Sequence, residues 1–187
     1  MMNVSDMQES LELCPVIAAV HEDLFEESLS SPVEIIFLLE GNVMTVGQQI
    51  KKAHENGKSI FIHIDLMKGI GKDKCGVEFL SNLNADGIIS TRASLIKNAR
   101  EIGMLSVQRY FALDSQGIGS IKEMINTVRP DFIEIMPGVI EKIITRFANE
   151  DTPIIAGGLI ETKSEVTKAL SCGATAVSTG KKDLWYI

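Results

Sequence analysis

The sequence predicts an α/β protein, a small (β/α)8 TIM-like barrel with short first and last helices, and three observations carry that prediction. Eight short apolar runs alternate with helical stretches along the 187 residues, the pattern of a parallel sheet with right-handed crossovers. The last two runs, 154–156 and 175–177, each end in a turn of small residues, Gly157-Gly158 and Ser178-Thr179-Gly180. Turns of that kind after the seventh and eighth strands are where this fold usually holds a phosphate. The alternation alone also suits an open doubly wound sheet; the count of eight and the place of the two turns favour the closed barrel. At 45% hydrophobic the chain is expected to bury one core and to form a single domain over 1–187, at ~100–200 residues per domain. It is shorter than the usual ~250 residues of the fold, so the first connection and the seven residues after Gly180 are the expected places for stunted helices.

Each element follows from local pattern. Residues 16–20 form a strand closed by His21-Glu22-Asp23, and 24–31 leave room for little more than two helical turns before Pro32 restarts the chain. The second strand is 34–39, and 43–56 is a helix with Val46, Ile50 and Ala53 on one face and Gly57 as its stop. In the third strand, 59–65, a period of two sends Ile60, Ile62 and Ile64 towards the helices and Phe61, His63 and Asp65 into the lumen. A loop over 68–74 leads to a helix at 75–83. The fourth strand, 87–90, ends in Thr91-Arg92, and a helix over 93–102 stops at Gly103. After the fifth strand, 105–110, the stretch D-S-Q-G-I-G-S reads as a loop whose Ser120 caps a helix at 121–128. The sixth strand is 131–136, with Pro137-Gly138 as its turn and 139–149 as its helix. Between the last two strands, 161–172 is helical, with Gly173 just past its end.

Composition excludes several classes. A net charge of −7 argues against indiscriminate coating of nucleic acid, which rests on summed Lys and Arg, while leaving room for a local basic patch. Cys14, Cys75 and Cys172 are odd in number and widely spaced, so neither a disulfide framework nor a zinc site is expected. The polar, acidic opening M-M-N-V-S-D-M-Q-E-S lacks the features of a signal peptide. No apolar run reaches the ~18 residues of a membrane span. A cytoplasmic protein without membrane contact is the expectation.

Charge at the ends of parallel strands needs a reason, because such strands are normally covered on both faces. Glu40, Asp65, Arg92, Arg109 and Glu134 all fall near carboxyl strand ends, where barrel active sites form, and are expected to converge on one mouth. They suit hydrogen bonding to the hydroxyls of a small polyol phosphate, acid-base chemistry, or mutual ion pairing, and the sequence leaves these open. His63 reads as a hydrogen-bonded core group rather than a metal ligand; H-x-D with Asp65 has no third ligand, and no metal is expected. Gly157, Gly158, Ser178, Thr179, Gly180 and Lys181 are the candidates for phosphate, since glycine lets backbone N–H groups approach a ligand and helix N-termini add positive charge.

Six stretches in order, S-I-F-I-H-I-D-L-M-K-G-I-G, D-G-I-I-S-T-R, Q-R-Y-F-A-L-D-S, P-D-F-I-E-I-M-P-G, P-I-I-A-G-G-L-I and A-V-S-T-G-K-K-D-L-W, resemble the glycerol-3-phosphate-responsive antiterminators of bacterial glycerol uptake operons, from Pro15 to Trp185. The resemblance implies a barrel that senses glycerol 3-phosphate as effector, binds the leader mRNA of glycerol-utilisation operons and prevents transcription termination, with no catalysis and no cofactor. The charges near strand ends, Asp65, Arg109, Glu134 and Glu40, with His63, are then the candidates for the glycerol hydroxyls, and the cations clustered after the third and fourth strands, Lys68, Lys72, Lys74, Arg92 and Lys97, are the candidates for RNA. No RRM or KH motif is present, and self-association is left open. The competing expectation is an enzyme of a small phosphorylated metabolite, of the isomerase, aldolase or glyceryl-phosphate transferase type, because fold alone does not fix function.

Overall fold

Short runs rich in Ile, Val and Phe, closed by turn residues, become the eight strands of a closed parallel barrel in the computed structural model, which describes residues 2–112 and 115–187. The strands are β1 (Val16–Val20), β2 (Ile35–Leu38), β3 (Ser59–His63), β4 (Gly87–Ser90), β5 (Leu105–Phe111), β6 (Phe132–Met136), β7 (Ile154–Gly157) and β8 (Ala176–Thr179). They follow one another around the barrel in chain order. The ring closes where β8 pairs with β1, Val16 opposite Val177 and Ala18 opposite Thr179. The helices are α1 (Val4–Leu13), α2 (Phe25–Ser30), α3 (Val46–Glu55), α4 (Lys74–Asn82), α5 (Ala93–Glu101), α6 (Ser115–Val128), α7 (Glu141–Phe147) and α8 (Lys163–Ser171). The first and last connections are stunted as expected: α2 has six residues, and a 3-10 turn, Lys182–Tyr186, stands after β8.

Strand alternation sorts side chains into two cores. Val16, Ile36, Ile60, Ile62, Ile88, Ile133, Ile154 and Val177 pack outwards with the helices, whereas Ile17, Phe37, Phe61, Ile89, Val107, Phe132, Ile155 and Ala176 fill the lumen. Above this apolar fill, at the carboxyl ends of the strands, the inward positions turn polar: His63, Arg109, Glu134 and Ser178 are all buried there.

Three sequence expectations are corrected. First, β3 ends at His63, and Ile64–Leu66 forms a 3-10 turn, so Asp65 lies past the strand rather than in it. The Lys72 ammonium donates to the carbonyls of Ile64 and Met67 and holds the turn in place. Second, the stretch around Gly117 is not a loop. Helix α6 starts at Ser115, and the Ser120 hydroxyl donates to Gly117 O within it, at 2.8 Å, instead of capping it. Two glycines at ~1 kcal/mol each weigh against a helix, but Ile118 joins Ile121 and Ile125 against the barrel, and this packing prevails over propensity. Leu113 and Asp114 of the same stretch lie outside the described residues. Third, the helix expected from Val43 begins at Val46, because Gly41–Asn42 pairs with Met67–Lys68 as a two-residue extension above β2 and β3.

Helix α1 was not expected at all. Asn3 caps it reciprocally with Asp6, a capping box, and it presents Met7 and Leu11, 0% and 1% exposed, to the lumen core from the amino-terminal end of the barrel. It therefore plugs that end. Truncating the plug leaves a cavity that the rigid strands cannot fill. Leu11→Ala is expected to cost about 2–4 kcal/mol in chemical unfolding, whereas Leu13→Ala, at a site 79% exposed, changes stability by no more than ~0.5 kcal/mol.

Candidate functional site

The polar layer at the carboxyl end of the barrel floors a cleft of about 440 Å³ between the loops after β1, β7 and β8. At its base Arg109 Nε donates to Glu134 Oε2 at 2.5 Å, and Ser178 Oγ donates to Glu134 Oε1 at 2.6 Å. Arg109 and Glu134 are direct neighbours in the β5–β6 ladder, which fixes the pair without any loop. Gly157 makes room for it. A Cβ at 157 would fall 2.5 Å from Glu134 Oε1 and 2.7 Å from Ser178 Oγ, closer than atoms tolerate. Gly157 is thus in β7 behind the carboxylate and outside the cleft lining, while Gly158, Ser178, Thr179, Gly180 and Lys181 line it together with Arg109 and Glu134.

The two turns are tied to each other. Thr179 Oγ1 donates to Ile160 O at 2.8 Å and accepts from Lys181 N at 3.1 Å, and Trp185 Nε1 donates to Thr179 O at 2.9 Å. Gly158 has φ +75°, a left-handed backbone that other residues reach at a cost. Lys181 sits at the rim with Glu161, Nζ to Oε1 3.4 Å, both more than half exposed, a pair worth little in water. A guanidinium and hydroxyls below an opening edged by small-residue turns make a site suited to an anion that also carries hydroxyl groups.

The other expected site residues are outside the cleft lining. Asp65 sits over β3 and β4, where it accepts from Ser90 Oγ at 3.0 Å, Thr91 N at 2.8 Å and Thr91 Oγ1 at 3.1 Å, with Arg92 Nε 3.5 Å away. His63 is buried, with Nε2 3.8 Å from Asp65 Oδ2; in place of the expected hydrogen-bonded core group, neither ring nitrogen makes a contact of full hydrogen-bond geometry. Burial, then the Arg109 charge, holds the imidazole below its usual pKa, against the opposite pull of Asp65, Glu134 and the Leu39 backbone. Glu40 is outside the cleft, paired at the rim with His21, Nδ1 to Oε1 3.3 Å. Among the expected RNA contacts, Lys68 and Lys97 are exposed, Lys74 pairs with Glu101 at 3.4 Å, and Lys72 is spent on the turn after β3, where desolvation lowers its pKa. Among the described residues no group of three or more His, Cys, Asp or Glu is placed to hold a metal, and no helix is long and apolar enough to cross a membrane.

Sequence reasoning passed over much of the cleft wall. Leu39 continues the inward set of β2, and Met136 that of β6, so strand parity gives a signal for both. Leu24, Leu159 and Ile160 come from connections, for which period two says nothing.

Known proteins share the fold and much of the sequence. A model of the family described as glycerol-3-phosphate responsive antiterminator matches residues 16–185. YgcP of Escherichia coli, an uncharacterised protein, is 36% identical over 176 residues, covering 92% of each chain. The crystal structure of a glycerol uptake operon antiterminator regulatory protein from Listeria monocytogenes superposes with a TM-score of 0.87 at 35% identity, over 92% of this chain and 95% of that one. An antiterminator-related protein from Thermotoga maritima gives 0.83 at 30% identity, over 91% and 96%. The chain belongs to the glycerol-3-phosphate responsive antiterminator family.

Proposed function

We propose that this protein senses glycerol 3-phosphate in the cleft above Arg109 and Glu134 and, when it is bound, engages the leader mRNA of a glycerol-utilisation operon to prevent transcription termination. The observation that carries the reading is the cleft itself: Gly158, Thr179, Gly180 and Lys181 edge it where barrels of this type take phosphate, in a chain of this family. The phosphate lies against the two turns, and the glycerol hydroxyls face Arg109, Glu134 and Ser178. A regulator suits these residues better than an enzyme does, because both Glu134 oxygens already accept a donor and Asp65 is engaged by Ser90 and Thr91. Neither is a free base over the cleft.

The effector is tested by thermal unfolding. Glycerol 3-phosphate at 100 times its Kd stabilises the fold by ~2.7 kcal/mol, while Gly158→Val, which brings a side chain into the left-handed turn against Met136, abolishes the shift. A wild type whose melting temperature responds to other phosphorylated metabolites but not to glycerol 3-phosphate, or which turns one of them over, removes the reading.

The neutral, buried His63 gives a pH dependence. Its folded pKa lies below the unfolded value of ~6.5, so the unfolded chain takes up the proton first as pH falls. Its contribution is complete above pH ~6.5 and is lost on going down towards the folded pKa. Urea unfolding between pH ~7 and ~5.5 should therefore show stability falling in the wild type, with a flatter profile for His63→Asn.

RNA contact is assigned to two exposed cations, Lys68 on the extension after β3 and Lys97 on α5. Lys68→Ala with Lys97→Ala should weaken leader-RNA binding and reduce the slope of log K against log salt by roughly 0.7 per lost phosphate contact. By contrast, Lys72→Ala should lower stability by about 1–3 kcal/mol, through loss of charged hydrogen bonds to two carbonyls. An unchanged salt slope in the double variant would take these lysines out of the RNA site.

A further inference from the structure

The cleft, about 440 Å³ and open at its mouth, carries apolar lining beyond the groups that a polyol phosphate would bond. Its hydrogen-bonding groups are joined in one place, Arg109 to Glu134 to Ser178. Leu24 and Leu39, from the β1 and β2 ends, and Met136 and Leu159, from the β6 and β7 ends, make up the apolar part of its wall.

Leu159 is the anomaly in that wall. It is 69% exposed, and its φ is +61°, directly after Gly158 at +75°. A leucine in the left-handed region is an outlier, where Asn or Gly would sit with less strain, and an exposed side chain recovers nothing by burial. Both unfavourable features fall on one residue of the cleft wall. They are explained together when the leucine is covered by what occupies the cleft, since backbone outliers of this kind concentrate at ligand clamps.

We infer that the cleft takes a phosphate monoester whose polyol carries a short apolar chain, a glycerol phosphate esterified with a few carbons. The polyol phosphate lies at Arg109 and the Ser178–Gly180 turn, and the chain lies along Met136 and Leu159. The inference rests on the reading of this cleft as the effector site and names a wider ligand class for it.

The test is calorimetric titration of the whole chain with glycerol 3-phosphate and with its butanoyl and hexanoyl esters, all below micellar concentrations. Each buried methylene should tighten binding about two- to fourfold, so the hexanoyl ester binds at least tenfold more tightly than the parent. In Leu159→Asn, which suits the left-handed backbone and should melt no lower than the wild type, the ratio of ester to parent affinity should fall severalfold. Comparing ratios within each protein cancels any effect on the shared polar end. Esters that bind no better than glycerol 3-phosphate overturn the inference and leave the proposed effector standing. So does a chain-length gain undiminished in Leu159→Asn, because the chain then lies elsewhere. If neither the parent nor the esters bind, the effector reading falls and the inference with it. Binding of the esters alone would support the inference and displace glycerol 3-phosphate as the natural ligand.

Discussion

Glu134 is 1% exposed at the centre of a barrel otherwise filled with isoleucine, valine and phenylalanine. A carboxylate so placed is tolerated only when opposite charge and donors are in contact with it. Arg109 supplies the first from β5 and Ser178 a second donor from β8. Between them β7 must pass without a side chain, which fixes glycine at 157. Four consecutive strands are thus committed to one acidic group, and removing either ionic partner would leave a buried charge at a cost of about 3–5 kcal/mol. The same requirement that makes the layer expensive makes it rigid, so the floor of the cleft is preorganised and ligand binding need not order it.

The mouth of the barrel divides into two halves with different logic. Over β5 to β8 Arg109, Glu134 and Ser178 line an open cleft. Over β3 and β4 the polar groups are consumed in holding loops: Asp65 gathers Ser90 and Thr91, and Lys72 gathers two carbonyls. One half is open, and the other is closed by its own loops. Arg92 stands on the second half, 54% exposed beside Asp65, and His63 lies beneath the seam, close enough to both halves to respond to Arg109 and Asp65 alike.

The strands were readable in the sequence because each is a short β-branched or aromatic run with a period of two, and that period also gave the lumen assignment of Phe61 and His63. Helix α1 was not, since its signal amounts to Met7 and Leu11 four residues apart in a polar stretch, and what gives them meaning is the open barrel end they cover. Glycines 117 and 119 pointed to a loop, and only the face of Ile118, Ile121 and Ile125 against the barrel reverses that reading. For Asp65, Lys72 and Glu134 the sequence gives residue type and distance from a strand end. It does not give the partner, which depends on strand register and loop path, so carboxylates engaged in holding loops look the same as carboxylates facing a ligand. The left-handed backbone of Leu159 is invisible for the same reason.

Trp185, whose indole donates to Thr179 O, is the only tryptophan of the chain. It is 1% exposed and fastened to the backbone of the strand end that edges the cleft, one residue before Gly180. Its near-ultraviolet emission therefore comes from a single environment, and any shift of the Ser178–Gly180 turn moves the carbonyl to which the fluorophore is bonded. The molecule carries an optical gauge of its own cleft, readable without label or modification.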